Sequence, residues 1–211
     1  MEKPLRLPKL YAIVDVTCFA PQLRTTNSIV EFARDLAEGG VTLLQYRNKE
    51  GDTRQMLTHS REIQRVLAGN VKLIVNDRAD ICVAMGLDGV HLGQDDLPAE
   101  GGRLVVGSER IVGVSTHNPE QVKAADATSA DYIAIGPVFP TTGKKNPDAL
   151  VGLEGVRAAR ALTQKPLVAI GGITRSNARS VIEAGADSVA VISDLLSSPR
   201  HAAEEFLRLL V

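Results

Sequence analysis

Eight short apolar runs rich in Val, Ile and Leu recur along the chain, at 10–14, 42–45, 72–75, 89–92, 111–114, 132–135, 167–170 and 188–192. Their apolar residues are nearly continuous instead of alternating, which is the pattern of parallel strands covered on both faces. Between the runs lie stretches of helical periodicity at 28–38, 54–67, 119–125, 153–162 and 176–184, with 200–210 after the last run. Strand–helix alternation of this kind leaves two architectures, an open doubly wound sheet or a closed (β/α)8 TIM barrel. An open sheet gathers its polar sites at one switch point. Here polar clusters follow almost every run, which selects the barrel, and 211 residues without a break in composition make one α/β barrel domain over 1–211.

A weak internal repeat supports this reading. Segments 36–44, 83–91 and 182–190 share one plan, and 127–134 echoes it without the glycine. In each, a helix ends on a small left-handed cap and two or three residues lead into a buried strand. Asn118 before Pro119 is an expected N-cap, and Ser176 or Asn177 is expected to do similar work at the seventh helix.

Composition removes several function classes. Lys and Arg number 24 against 25 Asp and Glu, for a formal net charge of −1, and aromatics are 3%. Such a chain has neither the positive field nor the stacking platform of a nucleic-acid binder. Cys18 and Cys82 form no CxxC or Cys/His cluster, which fits small core residues in a reducing compartment. The first residues lack a signal-peptide core, and no apolar run approaches the roughly 18 residues of a membrane span. The expectation is a soluble, cytoplasmic protein with no membrane partner.

In a barrel, residues at the C-terminal ends of the strands converge on one rim, where active sites lie. That rim should carry Asp15, residues 45–49, 76–78, 91–96 and 115–117, 136–145, Gly171 to Ile173, and Ser193. The strand period of two puts Gln45 and Arg47 on the same side as Leu43, towards the barrel axis. An inward arginine needs an anionic partner. Arg47 with Lys49 therefore suits phosphate oxygens, or else an internal ion pair with Asp77 or another acid. Asp77 and Asp96 are rim neighbours that can share a hard divalent cation of the magnesium kind, although Asp77 also stands where it can cap the following helix. Asp95 is expected to point elsewhere. Gly171-Gly172 and Ser193 fit the recurrent barrel phosphate site, and the 140–145 loop reads as a polar lid with a cationic tip. His91 reads as a strand-end hydrogen-bonder and His117 as a capping or surface residue. Two anion sites on one rim, one beside a metal and one without, point to group transfer between two phosphorylated partners.

The same residues resemble a known family. Gln45-Tyr-Arg-Asn-Lys49, Asn76-Asp77, residues 90–96, Gly113-Val-Ser115, residues 136–144, Ile170-Gly-Gly-Ile173 and Val191-Ile-Ser193 are similar, in order, to thiamine-phosphate synthase. The resemblance implies a (β/α)8 enzyme that joins 4-amino-2-methyl-5-(diphosphooxymethyl)pyrimidine to a thiazole phosphate, with or without its carboxylate, releasing diphosphate with Mg2+. It implies that Gln45, Arg47, Lys49, Asn76, Ser115 and Lys144 hold the pyrimidine diphosphate, with Arg47, Lys49, Ser115 and Lys144 acting in catalysis. It further implies that Asp77 and Asp96 bind Mg2+, and that Thr141, Thr142, Gly143, Gly172, Ile192 and Ser193 serve the thiazole phosphate. One position departs from the family pattern: Gly143 stands where a second hydroxyl is usual, which removes a side-chain contact and keeps a backbone N–H. The rival readings are a thiazole tautomerase on the same barrel, with His117 as its acid–base residue, and a non-catalytic sensor of a phosphorylated ligand. The tautomerase as we read it lacks the full diphosphate and metal set, and a sensor leaves the second anion site unexplained.

Overall fold

Each apolar run forms a parallel strand, and β8 returns to pair with β1. The structure, a computed structural model, describes residues 5–141 and 149–211. Among them the strands are β1 (Leu10–Asp15), β2 (Leu43–Arg47), β3 (Lys72–Asn76), β4 (Gly89–Leu92), β5 (Ile111–Thr116), β6 (Tyr132–Ile135), β7 (Leu167–Ile170) and β8 (Ser188–Val191). The helices are α1 (Thr26–Glu38), α2 (Thr53–Leu67), α3 (Ala79–Met85), α4 (Ala99–Val106), α5 (Pro119–Asp126), α6 (Gly152–Leu162), α7 (Ala178–Glu183) and α8 (Pro199–Leu209). The expected TIM barrel is therefore present, closed in the strand order of the sequence.

The period of two divides every strand between two cores. Leu10, Ala12 and Val14 of β1 face the helices, while Tyr11 and Ile13 face the lumen with Leu43, Ile74, Ile111, Tyr132, Ala134, Val168 and Ala190. Gly113 on β5 is paired in register with Tyr132 on β6. A Cβ at Gly113 would lie 2.0 Å from Tyr132 Cζ, so the missing side chain is what lets the phenol lie in the lumen.

Three differences from the sequence reading have local causes. Strands β1, β2, β3 and β5 run on through polar residues to Asp15, Arg47, Asn76 and Thr116. In register, Asp15 lies opposite Arg47 and their side chains bond, so the ladder continues where hydropathy stops. Helix α4 carries no helical signal in the sequence because Gly101 and Gly102 interrupt it. Gly102 is small because Leu92 fills that space: a Cβ there would meet Leu92 Cδ1 at 2.5 Å. Asn118 caps α5 as expected, accepting from Gln121 N at 2.9 Å. Asn177 occupies the N-cap position of α7 but does not cap it; its side chain accepts from Thr174 N (2.8 Å) and donates to the Gly172 carbonyl (3.0 Å). Ser176 bonds Thr174 Oγ1 instead of capping.

Candidate active site

The cations stand at the end of β2 and just beyond it. Arg47 is largely buried and bonded to Asp15, itself only 2% exposed. Asp15 is fixed in turn by the N–H and hydroxyl of Thr17, 3.0 and 2.7 Å away. The expected internal partner for Arg47 thus exists, and it is Asp15, not Asp77. One guanidinium nitrogen meets the acid, and a guanidinium has five N–H donors, so most of the fork remains for a ligand. Lys49 is the partner of Asp77, at 3.1 Å, and its side chain is half exposed. Its loop is pinned by Asn48, which accepts from Gly51 N (2.9 Å) and donates to Gln55 Oε1 (3.0 Å). Arg24 joins this loop to the one after β1, through Glu50 at 2.8 Å and the Thr17 carbonyl at 2.8 Å.

Asp77 follows β3 with φ +63°, a left-handed backbone, and α3 has no side-chain cap. The capping role for Asp77 is therefore ruled out. Burial, and then the hydrogen-bonded carboxyl of Asp96, push Asp77 up from 3.8 to about 6 against the pull of Lys49. Asp96 also accepts from Gly93 N at 2.8 Å, and Asp95 is exposed. Among the described residues no group of three or more His, Cys, Asp or Glu could hold a metal. Two facing carboxylates with one nearby ammonium make a negative surplus that fits a magnesium-type ion completed by phosphate oxygens and water.

Beneath the cations runs an uncharged chain across the lumen. Gln45 Nε2 donates to Tyr11 Oη (2.9 Å), Tyr11 Oη lies 3.1 Å from Tyr132 Oη, and Tyr132 Oη lies 2.8 Å from His91 Nδ1. His91 Nε2 meets Ser115 Oγ at 2.9 Å. Burial lowers His91 to about 4 and raises both phenols above their usual range. Asn76 is buried beside His91, its partner in the strand ladder. The reading of His91 as a strand-end hydrogen-bonder holds. Tyr11 and Tyr132 were missed by sequence reasoning; the available signal was two tyrosines at inward positions of otherwise aliphatic strands.

On the opposite side, Gly171 and Gly172 have φ +102° and +63°. A Cβ on Gly172 would meet the Pro140 carbonyl at 2.5 Å, and Phe139 N donates to the Gly171 carbonyl at 3.0 Å. The loops after β6 and β7 are thus zipped together beside Thr141. Ile192 is half-buried against the lumen core, and Ser193 is exposed at the start of a 3-10 turn, Ser193–Leu195. His117 Nδ1 donates to the Gly136 carbonyl at 2.6 Å. Thr142, Gly143, Lys144 and Lys145 lie outside the described residues.

A family model described as thiamine monophosphate synthase matches residues 10–195. The chain belongs to that family. Thiamine-phosphate synthase of Koribacter versatilis is 60% identical over 210 residues, covering 100% of this chain and 99% of that protein. The Chloroflexus aurantiacus thiamine-phosphate synthase is 40% identical, covering 96% of this chain and 92% of its own. Among solved structures, thiamine phosphate pyrophosphorylase from Pyrococcus furiosus superposes with a TM-score of 0.83 at 34% identity, over 96% of this chain and 95% of that one. As a member of the thiamine monophosphate synthase family the chain is an enzyme, a transferase of thiamine biosynthesis. The relatives at 60% and 40% identity are both thiamine-phosphate synthases, which weighs against the tautomerase and sensor readings. No helix among the described residues is long and apolar enough to cross a membrane.

Proposed function

We propose that this rim joins the pyrimidine diphosphate to the thiazole phosphate by the division of labour its two sides suggest. The observation that carries the reading is the juxtaposition of Arg47 and Lys49 with the facing carboxylates Asp77 and Asp96, across the mouth from the Gly172 loop. The C–O bond between the pyrimidine methylene and diphosphate breaks, diphosphate leaving with the electron pair. The thiazole nitrogen then forms the new C–N bond. Arg47, Lys49 and Lys144 neutralise the charge that grows on the leaving group, in a site where preorganised charge outweighs what water offers. Asp15 keeps Arg47 aimed while its remaining N–H groups meet phosphate oxygens. Asp77 and Asp96 hold Mg2+, which when bound supplies further positive charge against the diphosphate. Gln45, Asn76 and Ser115 orient the pyrimidine. Thr141, Thr142, Gly143, Gly172, Ile192 and Ser193 place the thiazole phosphate so that its nitrogen faces the methylene, which turns a bimolecular step into a local one. A protein nucleophile has no part in this scheme.

The test is turnover of the purified chain with both substrates and magnesium. Thiamine phosphate and diphosphate should appear in equal amounts. Diphosphate release without consumption of the thiazole, or no turnover at all, would overturn the reading.

A further inference from the structure

The outer face of β2 carries a polar chain that the reaction scheme leaves unused. Tyr46 points away from the lumen into the core between strands and helices, and its ring meets His59 of α2 edge-on, with centroids 5.7 Å apart. Tyr46 Oη lies 2.8 Å from His59 Nδ1 and accepts from Asn48 Nδ2 at 3.3 Å. Tyr46 and His59 are 0% and 1% exposed and Asn48 6%, so protein encloses the whole chain. Burial raises Tyr46 to about 12 and lowers His59 below its ordinary 6.5, which leaves both uncharged at neutral pH. A backbone N–H can only donate, so Gly51 N at 2.9 Å fixes Asn48 Oδ1 on its own side and sends Nδ2 to the other. There Nδ2 has two hydrogens and two acceptors, Tyr46 Oη and Gln55 Oε1, the latter at 3.0 Å. Gln55 belongs to the first turn of α2, where the N-cap Asp52 holds its N–H at 2.7 Å. The Asn48 amide is thus a clasp that ties strand, turn and helix together.

We propose that Asn48, braced by Tyr46 and His59, is the positioning residue that aims Lys49 at the diphosphate. The inference rests on the assignment of Lys49 to the leaving group made above. Arg47 does not need the clasp: it ends β2 in register with Asp15 and is bonded to it. Lys49 lies two residues past the strand end with its side chain half exposed, and its contact with Asp77 is one that an arriving phosphate contests. On a free turn such a side chain would have to be ordered, backbone included, at each binding event, and that entropy opposes binding. The clasp orders the backbone of 48–51 in advance, from the buried side. The sequence leaves room for it. A Cβ on Gly51 would lie 2.1 Å from Asn48 Nδ2 and 2.5 Å from Gln55 Oε1. Gly51 is not among the glycines with positive φ, so its missing side chain serves the Asn48 amide and not a left-handed turn.

Asn48→Ala removes the clasp, and Gly51→Ala dislodges the Asn48 amide while leaving Asn48, Arg47 and Lys49 in the sequence. Each should lower kcat/KM for the pyrimidine diphosphate by roughly tenfold, the order expected when a buried amide loses its partners. Binding of inorganic diphosphate with Mg2+, measured by titration calorimetry, should weaken by a similar factor, and the KM for the thiazole phosphate should stay unchanged. Tyr46→Phe keeps the ring and drops one hydroxyl, and should act in the same direction more weakly. The deciding measurement is a cycle with Lys49→Ala, in both kinetics and calorimetry. In that background Asn48→Ala should cost nothing further, because the residue it acts through is gone. If Asn48→Ala does not fold, Gly51→Ala carries the same cycle. The inference is overturned by a loss that is equally large with and without Lys49, by equal losses for both substrates, or by no loss in either variant. Wild-type protein that binds diphosphate but makes no thiamine phosphate would sink the functional reading instead, and the calorimetric cycle would still decide the clasp. Wild-type protein that binds no diphosphate overturns both.

Discussion

Three aspartates at the N-terminal end of the barrel and three at the candidate site are used in opposite ways. At the N-terminal end, Asp88, Asp131 and Asp187 each precede a strand and reach sideways to the backbone of the strand before it. They accept from Leu73 N (2.8 Å), Val112 N (2.7 Å) and Leu167 N (2.8 Å). Arg103 and Arg160 close over two of them, with further bonds to nearby carbonyls. At the C-terminal end, Asp15 and Asp96 bond backbone only within their own loops, and Asp77 faces Lys49 and Asp96. Charge spent on a neighbouring strand's backbone is committed to the fold. Charge held between side chains can change partners when a ligand arrives, and that difference separates a structural rim from a chemical one.

The comparison is broken most forcefully at Arg47. Arg47→Ala should lower kcat/KM for the pyrimidine diphosphate by about a thousandfold and leave the KM for the thiazole phosphate within a few-fold, as measured by varying each substrate in turn. Equal losses for both would mean that Arg47 does not face the leaving group. At the other end, Asp131→Ala should leave kcat at 25 °C unchanged while costing about 1–2 kcal/mol of stability, because Val112 N and Arg103 lose a half-screened charged acceptor. Denaturant midpoints check it, and an activity loss without a stability loss would erase the distinction between the rims. Next, Asp77→Asn and Asp96→Asn should each raise the magnesium concentration for half-maximal rate by roughly tenfold, since a cation with few protein ligands depends on each carboxylate. An unchanged midpoint in both variants would remove the metal assignment.

The smallest effect concerns pH. Burial and Asp96 hold the native pKa of Asp77 at about 6, above the unfolded value of about 4. The native state therefore binds the proton more tightly, so the metal-free protein should be fully stabilised by this group below pH 4 and lose that contribution as pH rises through 6. Asp77→Asn should lack this decline and be more stable than the parent at pH 7 by about 1 kcal/mol after screening by solvent. Chemical denaturation with chelator at pH 4 and pH 7 measures the difference.

The strands were legible because a strand covered on both faces must be apolar throughout, and 89–92, 132–135 and 167–170 match the observed bounds. Helix α4 was hidden because glycine lowers helix propensity, while the reason for glycine is a Leu92 methyl that only the folded chain brings near. The candidate site was legible as a list of rim residues, since the barrel fixes where strand ends go. Its pairings were not. Nothing in a run of letters says that Arg47 finds Asp15 across the ladder while Lys49 takes Asp77. The repeat at 83–91, 127–134 and 182–190 did contain Asp88, Asp131 and Asp187, but their shared task became visible only with the strand registers in place.

Gly113 has a consequence for how this barrel can be varied. Replacing its hydrogen by a methyl is among the mildest edits a sequence can undergo, yet the added carbon would overlap the ring of Tyr132. The phenol would have to swing away from Tyr11 and His91, and Ser115 sits two residues further along the same strand face. Chemical distance between amino acids is therefore a poor guide to tolerance here: at position 113 the gentlest exchange is the disruptive one.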